Sequence, residues 1–264
     1  MTRPKKRFSQ NFLTDGKIAS KIVDLLDLKK DDTVFEIGPG RGALTQLIAD
    51  SGARLYSFEI DTDLVQRLRN KFRDYPNVEI VNIDFLLVDP LEKIDGGFKL
   101  IGNIPYDITS LIVQWITSYH KYINRAVITA QKELADRISS GPGSKNWAPI
   151  SIFAQCYFDI KSVFTIPPEA FYPKPKVHSA TMLFEPKEPY KIDDFDFFET
   201  VVRQSFKNRR KLLVNNLAGL ENIDKQQLEK VLERAGLPRL IRAEQVGFEQ
   251  FIELSELIKA SILS

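Results

Sequence analysis

Four short segments hold residues whose types and spacing could do chemistry. The first, Asn103-Ile104-Pro105-Tyr106, puts an amide, a proline-restricted backbone and an aromatic ring within four residues. An amide oxygen, and a carbonyl that proline geometry turns into a cleft, would accept from both N–H groups of an adenine N6 amine. That amine is a poor nucleophile because its lone pair is delocalised into the ring, and two acceptors favour the pyramidal, attacking geometry. Tyr106 would stack on the base, an interaction worth about 1–3 kcal/mol. Asn103, Pro105 and Tyr106 are therefore the candidate catalytic residues. The competing reading is a turn that closes a strand, since Asn and Pro are common turn residues.

The other three segments suit a nucleoside. Gly38-Pro39-Gly40-Arg41-Gly42 falls between a strand-like and a helix-like run, where a ligand crosses the carboxyl edge of a doubly wound sheet. Without side chains the backbone can approach that ligand closely, although a tight turn with no ligand would read the same way. Glu59 follows about 20 residues on, at the position from which an acid chelates two ribose hydroxyls. Asp84 ends the next strand pattern and could accept from an exocyclic adenine amine. Glu59 could instead be a solvated strand end. A nicotinamide cofactor would favour Gly-x-Gly-x-x-Gly, and Ala43 in the last place excludes that reading only in part.

Positioning these residues requires alternating strands and helices. Thr33 to Ile37, Arg54 to Ile60, Val78 to Ile83, Lys99 to Gly102 and Ala126 to Thr129 read as strands. Helical patterns over Ala43 to Ala49, Asp63 to Phe72 and Ser110 to Thr117 separate them, and another covers Ile18 to Leu26 behind Thr14-Asp15. This alternation predicts an α/β fold, a parallel sheet covered on both faces. Ser139 to Ser144 reads as a surface loop, Ile150 to Phe158 as a helix, and Ser162 to Ile166 and Ala180 to Phe184 as strands around a proline-rich link. Pro186-Lys187-Glu188-Pro189 marks the boundary between a domain over 1–187 and one over 188–264. Beyond it, Phe195 to Phe206, Arg209 to Leu217, Lys225 to Ala235 and Phe248 to Ala260 are helix-like, which predicts a small all-helical C-terminal subdomain.

Composition narrows the function further. The 264 residues carry 37 Lys+Arg against 35 Asp+Glu, so no global field marks a nucleic-acid binder. Two local islands do: eight cations against three acids in the first 30 residues, and Arg203, Lys207, Arg209, Arg210 and Lys211 without an acid over 200–216. Both suit an anionic partner. A single cysteine, Cys156, excludes an internal disulfide framework, and His120 and His178 offer no metal constellation. No apolar run reaches the roughly 18 residues of a membrane span. A metal-free cytoplasmic protein with no membrane association is expected.

Together, Phe8-Ser9-Gln10-Asn11-Phe12-Leu13, Glu36-Ile37-Gly38-Pro39-Gly40, Glu59-Ile60-Asp61, Asn103-Ile104-Pro105-Tyr106, Gln131-Lys132-Glu133, Pro173-Lys174-Pro175-Lys176-Val177 and Phe206-Lys207-Asn208-Arg209-Arg210-Lys211 resemble the ribosomal-RNA adenine N6-dimethyltransferases, in particular the bacterial branch acting on the small subunit. The resemblance spans nearly the whole chain. It implies a Rossmann-like class I methyltransferase sheet and S-adenosyl-L-methionine as cofactor. It also implies dimethylation of two adjacent adenines in the 3′-terminal hairpin of 16S ribosomal RNA by a monomer, with a role in subunit biogenesis. By the same resemblance Asn11 and Leu13 close over the cofactor, Gly38 and Gly40 pass beneath its methionine moiety, Glu59 holds its ribose, Ile60 packs on its adenine and Asp84 meets its amine. Asn103 borders cofactor and target base, Tyr106 stacks on the target, and Phe171 covers the target's other face unless it is a core anchor. Lys5, Lys6, Arg7, Lys207, Arg209, Arg210 and Lys211 are the expected RNA contacts. Ile104, His178 and Asn146-Trp147-Ala148-Pro149 depart from the family's usual Leu, Asp and Tyr-Gly patterns. The rival readings are a large-subunit methyltransferase of the antibiotic-resistance type and an assembly factor whose binding outweighs its catalysis.

Overall fold

The structure, a computed structural model, describes residues 10–94 and 96–263. It divides into two compact units: residues up to Asp136 with Tyr157–Lys187, and Arg137–Cys156 with residues from Glu188 onward. Among the described residues no helix is long and apolar enough to cross a membrane.

In chain order the first unit holds β1 (Phe12–Leu13), α1 (Gly16–Asp24), β2 (Thr33–Ile37), α2 (Ala43–Ser51), β3 (Arg54–Glu59), α3 (Thr62–Lys71) and β4 (Val78–Asn82). Then come β5 (Phe98–Asn103), α4 (Thr109–Ser118), β6 (Ile123–Gln131) and most of α5 (Lys132–Ile138). The strands β7 (Phe158–Ile166), β8 (Phe171–Tyr172) and β9 (Ser179–Pro186) complete it. Seven strands form one sheet in the order β4-β3-β2-β5-β6-β9-β7. The first five are parallel; β9 and β7 extend the sheet antiparallel. Period-two alternation covers both faces. Val34 packs with Ile22 of α1, Leu26 just beyond it, and Leu44 and Ile48 of α2. Its neighbour Phe35 stacks on Phe98 with centroids 4.5 Å apart, in an aromatic cluster that reaches Phe85 and Trp115 of α4. Each fully buried side chain of this kind contributes roughly 1.5–3 kcal/mol.

From β2 the chain winds outward through β3 and β4, then returns to β5 on the other side of β2. The loops after β2 and β5 therefore leave adjacent strands in opposite directions, the switch point at which open α/β sheets bind ligands. The segments singled out by their chemistry, Gly38–Gly42 and Asn103–Tyr106, lie at those two exits.

The second unit contains α6 (Pro149–Gln155), α7 (Phe195–Ser205), α8 (Leu213–Leu217), α9 (Lys225–Arg234) and α10 (Phe248–Leu263), with no strand among its described residues. Asp194 caps α7 through the Phe197 amide at 3.0 Å, and Asp224 and Gln227 form a capping box on α9. Its core includes Phe198, Val202, Leu217, Leu228, Phe251 and Ile258.

Several expectations are corrected. The domain expected over 1–187 is interrupted, because residues 137–156 fold with the helical unit. Buried Trp147 donates to the Val246 carbonyl at 3.0 Å, the Gly143 amide donates to Glu244 at 2.7 Å, and Phe153 packs against Phe195 and Phe198. The helix expected over Arg209 to Leu217 begins only at Leu213, the preceding residues forming a turn. The helix expected over Ile150 to Phe158 ends at Gln155, and Phe158 opens β7.

Candidate active site

The three glycines after β2 are glycine for three different reasons. All have positive φ, at 61°, 57° and 78° for Gly38, Gly40 and Gly42, where a Cβ is strained. A Cβ on Gly38 would meet nothing within 4 Å, one on Gly40 would lie 2.8 Å from the Phe12 ring, and one on Gly42 would press at 3.1 Å on Leu68 of α3 and on Phe72, which caps its end. Gly38 thus leaves the cleft open, Gly40 admits Phe12, and Gly42 lets α3 pack closely.

Phe12 belongs to a strap across the strand ends. Phe12 pairs with Tyr172 and Leu13 with Phe171 in the small β1–β8 ladder. Thr14 donates through its amide and its hydroxyl to the Ala170 carbonyl, at 2.8 and 3.0 Å. The Arg41 guanidinium lies 4.7 Å from the centroid of Phe12 and 5.4 Å from that of Tyr172. Asn103 at the end of β5 donates through Nδ2 to the Asn11 carbonyl at 3.0 Å. This bond orients the amide: its donors face the strap, and Oδ1 is the atom available to an incoming donor.

The two carbonyls of the tetrad's middle residues differ in their partners. The Pro105 carbonyl already accepts from Thr109 Oγ1 at 3.1 Å and from the Ile108 amide at 3.3 Å, closing the turn into α4. The Ile104 carbonyl has no partner among the described residues. A proline restricts the residue before it to extended backbone, so Pro105 sets the direction of the Ile104 carbonyl. The Tyr106 hydroxyl is hydrogen-bonded to Ser179 Oγ at 2.9 Å, which fixes its ring.

Carboxylates line the same cleft. Glu59 is 5% exposed and accepts from the Gly40 amide at 3.2 Å and the Asp61 amide at 2.9 Å. Burial outweighs these bonds and raises its pKa. Asp84 accepts from the Leu86 amide at 3.0 Å through one oxygen; its other oxygen has no partner among the described residues. Ile60, beside Glu59, is 46% exposed and offers the cleft an apolar face. Glu36 was not anticipated as a site residue. It is 1% exposed, accepts from Thr45 at 2.8 Å and Ser57 at 2.6 Å through Oε2, and leaves Oε1 without a partner. Burial pushes its pKa up to about 7, against those two hydrogen bonds and with the Glu59 charge adding to the rise. The signal available in the sequence was an acid inside the apolar run Val34-Phe35-Glu36-Ile37.

The cleft gathers Asn11, Leu13, Gly38, Gly40, Glu59, Ile60, Asp84, Asn103, Pro105, Tyr106 and Phe171, together with Glu36 and Arg41. Phe171 borders it while lying 4% exposed in the hydrophobic cluster around Leu13, Ile166 and Ala170. Lys207, Arg209, Arg210 and Lys211 belong to the helical unit and are exposed in the turn between α7 and α8. Lys5, Lys6 and Arg7 lie outside the described residues.

Comparison with known proteins gives one answer. Residues 1–260 match the family model of ribosomal RNA adenine dimethylase. A ribosomal RNA small subunit methyltransferase A from Syntrophotalea carbinolica is 41% identical over 97% of this chain and 97% of its own length. One from Streptococcus pneumoniae is 40% identical over 97% and 92%. The solved structure of the 23S rRNA methyltransferase ErmE superposes with a TM-score of 0.75 at 31% identity, over 94% of this chain and all of that one. A dimethyladenosine transferase from Plasmodium falciparum shares the fold at a TM-score of 0.81 and 23% identity, over 95% and 98%. The chain belongs to the ribosomal RNA adenine dimethylase family.

Proposed function

We propose that this protein transfers methyl groups from S-adenosyl-L-methionine to the N6 of two adjacent adenines near the 3′ end of small-subunit ribosomal RNA. The observation that carries the reading is the pair of acceptors after β5: Asn103 Oδ1, oriented by the bond to Asn11, and the Ile104 carbonyl, directed by Pro105. Two acceptors side by side suit the two N–H groups of an amine, and a cleft beside them suits a nucleoside cofactor.

The residues present fit that cofactor. Glu36 Oε1 is a buried carboxylate oxygen without a partner, matched to a ligand that carries positive charge, and Gly38 leaves open the space that a Cβ would fill. Glu59 holds the ribose hydroxyls, Ile60 covers the adenine, Asp84 accepts from its amine, and Asn11 and Leu13 of the strap enclose it with Gly38 and Gly40. The cofactor supplies an activated methyl group; this chain supplies position. A target adenine splayed from its RNA loop stacks on Tyr106, whose ring the Ser179 bond holds, and Phe171 borders the pocket. Asn103 and Ile104 accept from N6 and hold its lone pair toward the reaction. Positioning of this kind can supply about 7–11 kcal/mol of a barrier. Once methylated, the nitrogen is acidic while cationic and loses its proton to water, so no dedicated base is required.

Lys207, Arg209, Arg210 and Lys211 of the helical unit contact RNA phosphates, and Lys5, Lys6 and Arg7 add to them. The protein acts as a monomer in the cytoplasm, and its modification of the RNA contributes to subunit biogenesis. The small-subunit names of the 41% and 40% identical relatives favour that substrate over the large-subunit RNA named for ErmE. Methyl transfer to purified small and large subunits tests the choice: incorporation into small-subunit RNA alone is expected, and preferential incorporation into large-subunit RNA would reverse it.

A further inference from the structure

The cationic turn of the helical unit is not a loose loop. Asn216 in α8 is 3% exposed and uses both ends of its amide on the chain that leads into that turn. Its Nδ2 donates to the Ser205 carbonyl at 2.7 Å and the Asn208 carbonyl at 3.1 Å, and its Oδ1 accepts from the Asn208 amide at 3.2 Å. The Asn216 carbonyl accepts from Gln204 Nε2 at 2.6 Å, and the Lys211 amide closes onto the Asn208 carbonyl at 2.9 Å. A buried amide that satisfied is costly to remove, and it fixes the backbone from which Lys207, Arg209, Arg210 and Lys211 project, all exposed. A second segment joins the same face. The Arg209 guanidinium donates to the Lys145 carbonyl, and the side chain of Lys145 is exposed. The loop around Lys145 is itself held in place. Gly143 bonds to Glu244, Ser144 accepts from the Asn146 and Trp147 amides, and Trp147 is anchored on Val246.

We infer that Lys145 and the Lys207–Lys211 turn form one composite surface for the RNA phosphate backbone, with Asn216 as the positioning residue that keeps it assembled. The inference rests on the proposed RNA substrate and extends the binding surface to a residue and a segment outside the basic motif. Its chemistry is charge neutralisation: five exposed cations on two anchored loops offer positive charge to phosphates without ordering the loops on binding. Each phosphate contact of this kind contributes about 0.7–0.9 to the slope of log affinity against log salt.

The test uses the full-length protein and a hairpin from small-subunit RNA, with affinity measured across salt concentrations. Lys145→Ala is expected to lower the slope by about one and the affinity by about five-fold near physiological salt. Asn216→Ala is expected to lower the slope by more than one and to raise KM for RNA, with kcat at saturating RNA as in wild type. If Asn216→Ala fails to fold, Lys145→Ala decides alone. A wild-type slope in Lys145→Ala beside a lowered slope in Arg210→Ala would overturn the composite surface and leave the proposed function standing. So would a KM and slope unchanged in folded Asn216→Ala. Wild-type protein that binds only large-subunit RNA, with the same loss in Lys145→Ala, would overturn the proposed substrate and keep the surface. Wild-type protein that binds no RNA would overturn both.

Discussion

The cleft after β2 and β5 and the cationic turn before α8 handle charge in opposite ways. In the cleft, polar atoms are few, buried and aimed: Glu36 and Glu59 sit almost out of water, and Asn103 is oriented by one hydrogen bond to Asn11. In the turn, the charges are exposed and only the scaffold beneath them, Asn216, is buried. A short-range interaction in a dry site is strong and geometry-dependent, whereas exposed charges act at range and are screened by salt. The cleft should therefore govern rate and cofactor affinity, and the turn should govern RNA affinity and its salt dependence.

The sharpest way to break that contrast is Asn103→Ala. Removing one oriented group from the reacting amine is expected to lower the single-turnover methylation rate by about 10²–10³, with the salt slope for RNA binding unchanged; a changed slope would mean that the two functions are not separable. Glu36 offers a test by pH. Its folded pKa is raised to about 7 from the ordinary 4.5, so the folded protein holds a proton that the unfolded chain releases. Stability of the cofactor-free protein should therefore fall as pH rises from about 4.5 to 7, by on the order of 3 kcal/mol, and remain at that lower level above 7. Glu36→Gln should remove this slope in denaturant melts at pH 5 and pH 8, while weakening the affinity for S-adenosyl-L-methionine. In the turn, combining Arg209→Ala, Arg210→Ala and Lys211→Ala is expected to weaken RNA binding about 10²-fold near physiological salt and cut the slope by between two and three. The methylation rate at saturating RNA should stay at the wild-type value. Smallest is Trp147→Phe, which loses the bond to Val246 and should cost about 1 kcal/mol, read as a lowered melting midpoint.

The two regions were also unequally legible in the sequence. The strands that position the cleft were readable because each is a short apolar run cut off by Gly, Asp or Pro, and the tetrad and the glycines announced themselves by residue type. The strap was not readable as structure: β1 and β8 are two residues each, and their pairing across 159 positions, Phe12 with Tyr172, has no local signature. Glu36 was missed because its role depends on Thr45 and Ser57, which fill one carboxylate oxygen from α2 and β3 and leave the other bare, and no local pattern shows those partners. Residue types alone did not say which carbonyl of the tetrad is open; the structure shows that of Pro105 taken up by Thr109 and Ile108 in the turn into α4. In the helical unit the apolar and basic residues from Arg209 to Leu217 read as one helix, because propensity does not register the buried Asn216 side chain that holds the preceding turn. The loop over 139–144 read as free surface because its anchor, Glu244, lies about a hundred residues away.

The central claim is that acceptors after β5 present adenine N6 for methylation on small-subunit RNA. Mass mapping of digested RNA, after purified protein and S-adenosyl-L-methionine act on small subunits lacking the modification, tests it most directly. Two methyl groups on each of two neighbouring adenosines near the 3′ end are expected from wild-type protein, and only a trace from Asn103→Ala in the same time. Methyl groups on another base, or wild-type modification by Asn103→Ala, would contradict it.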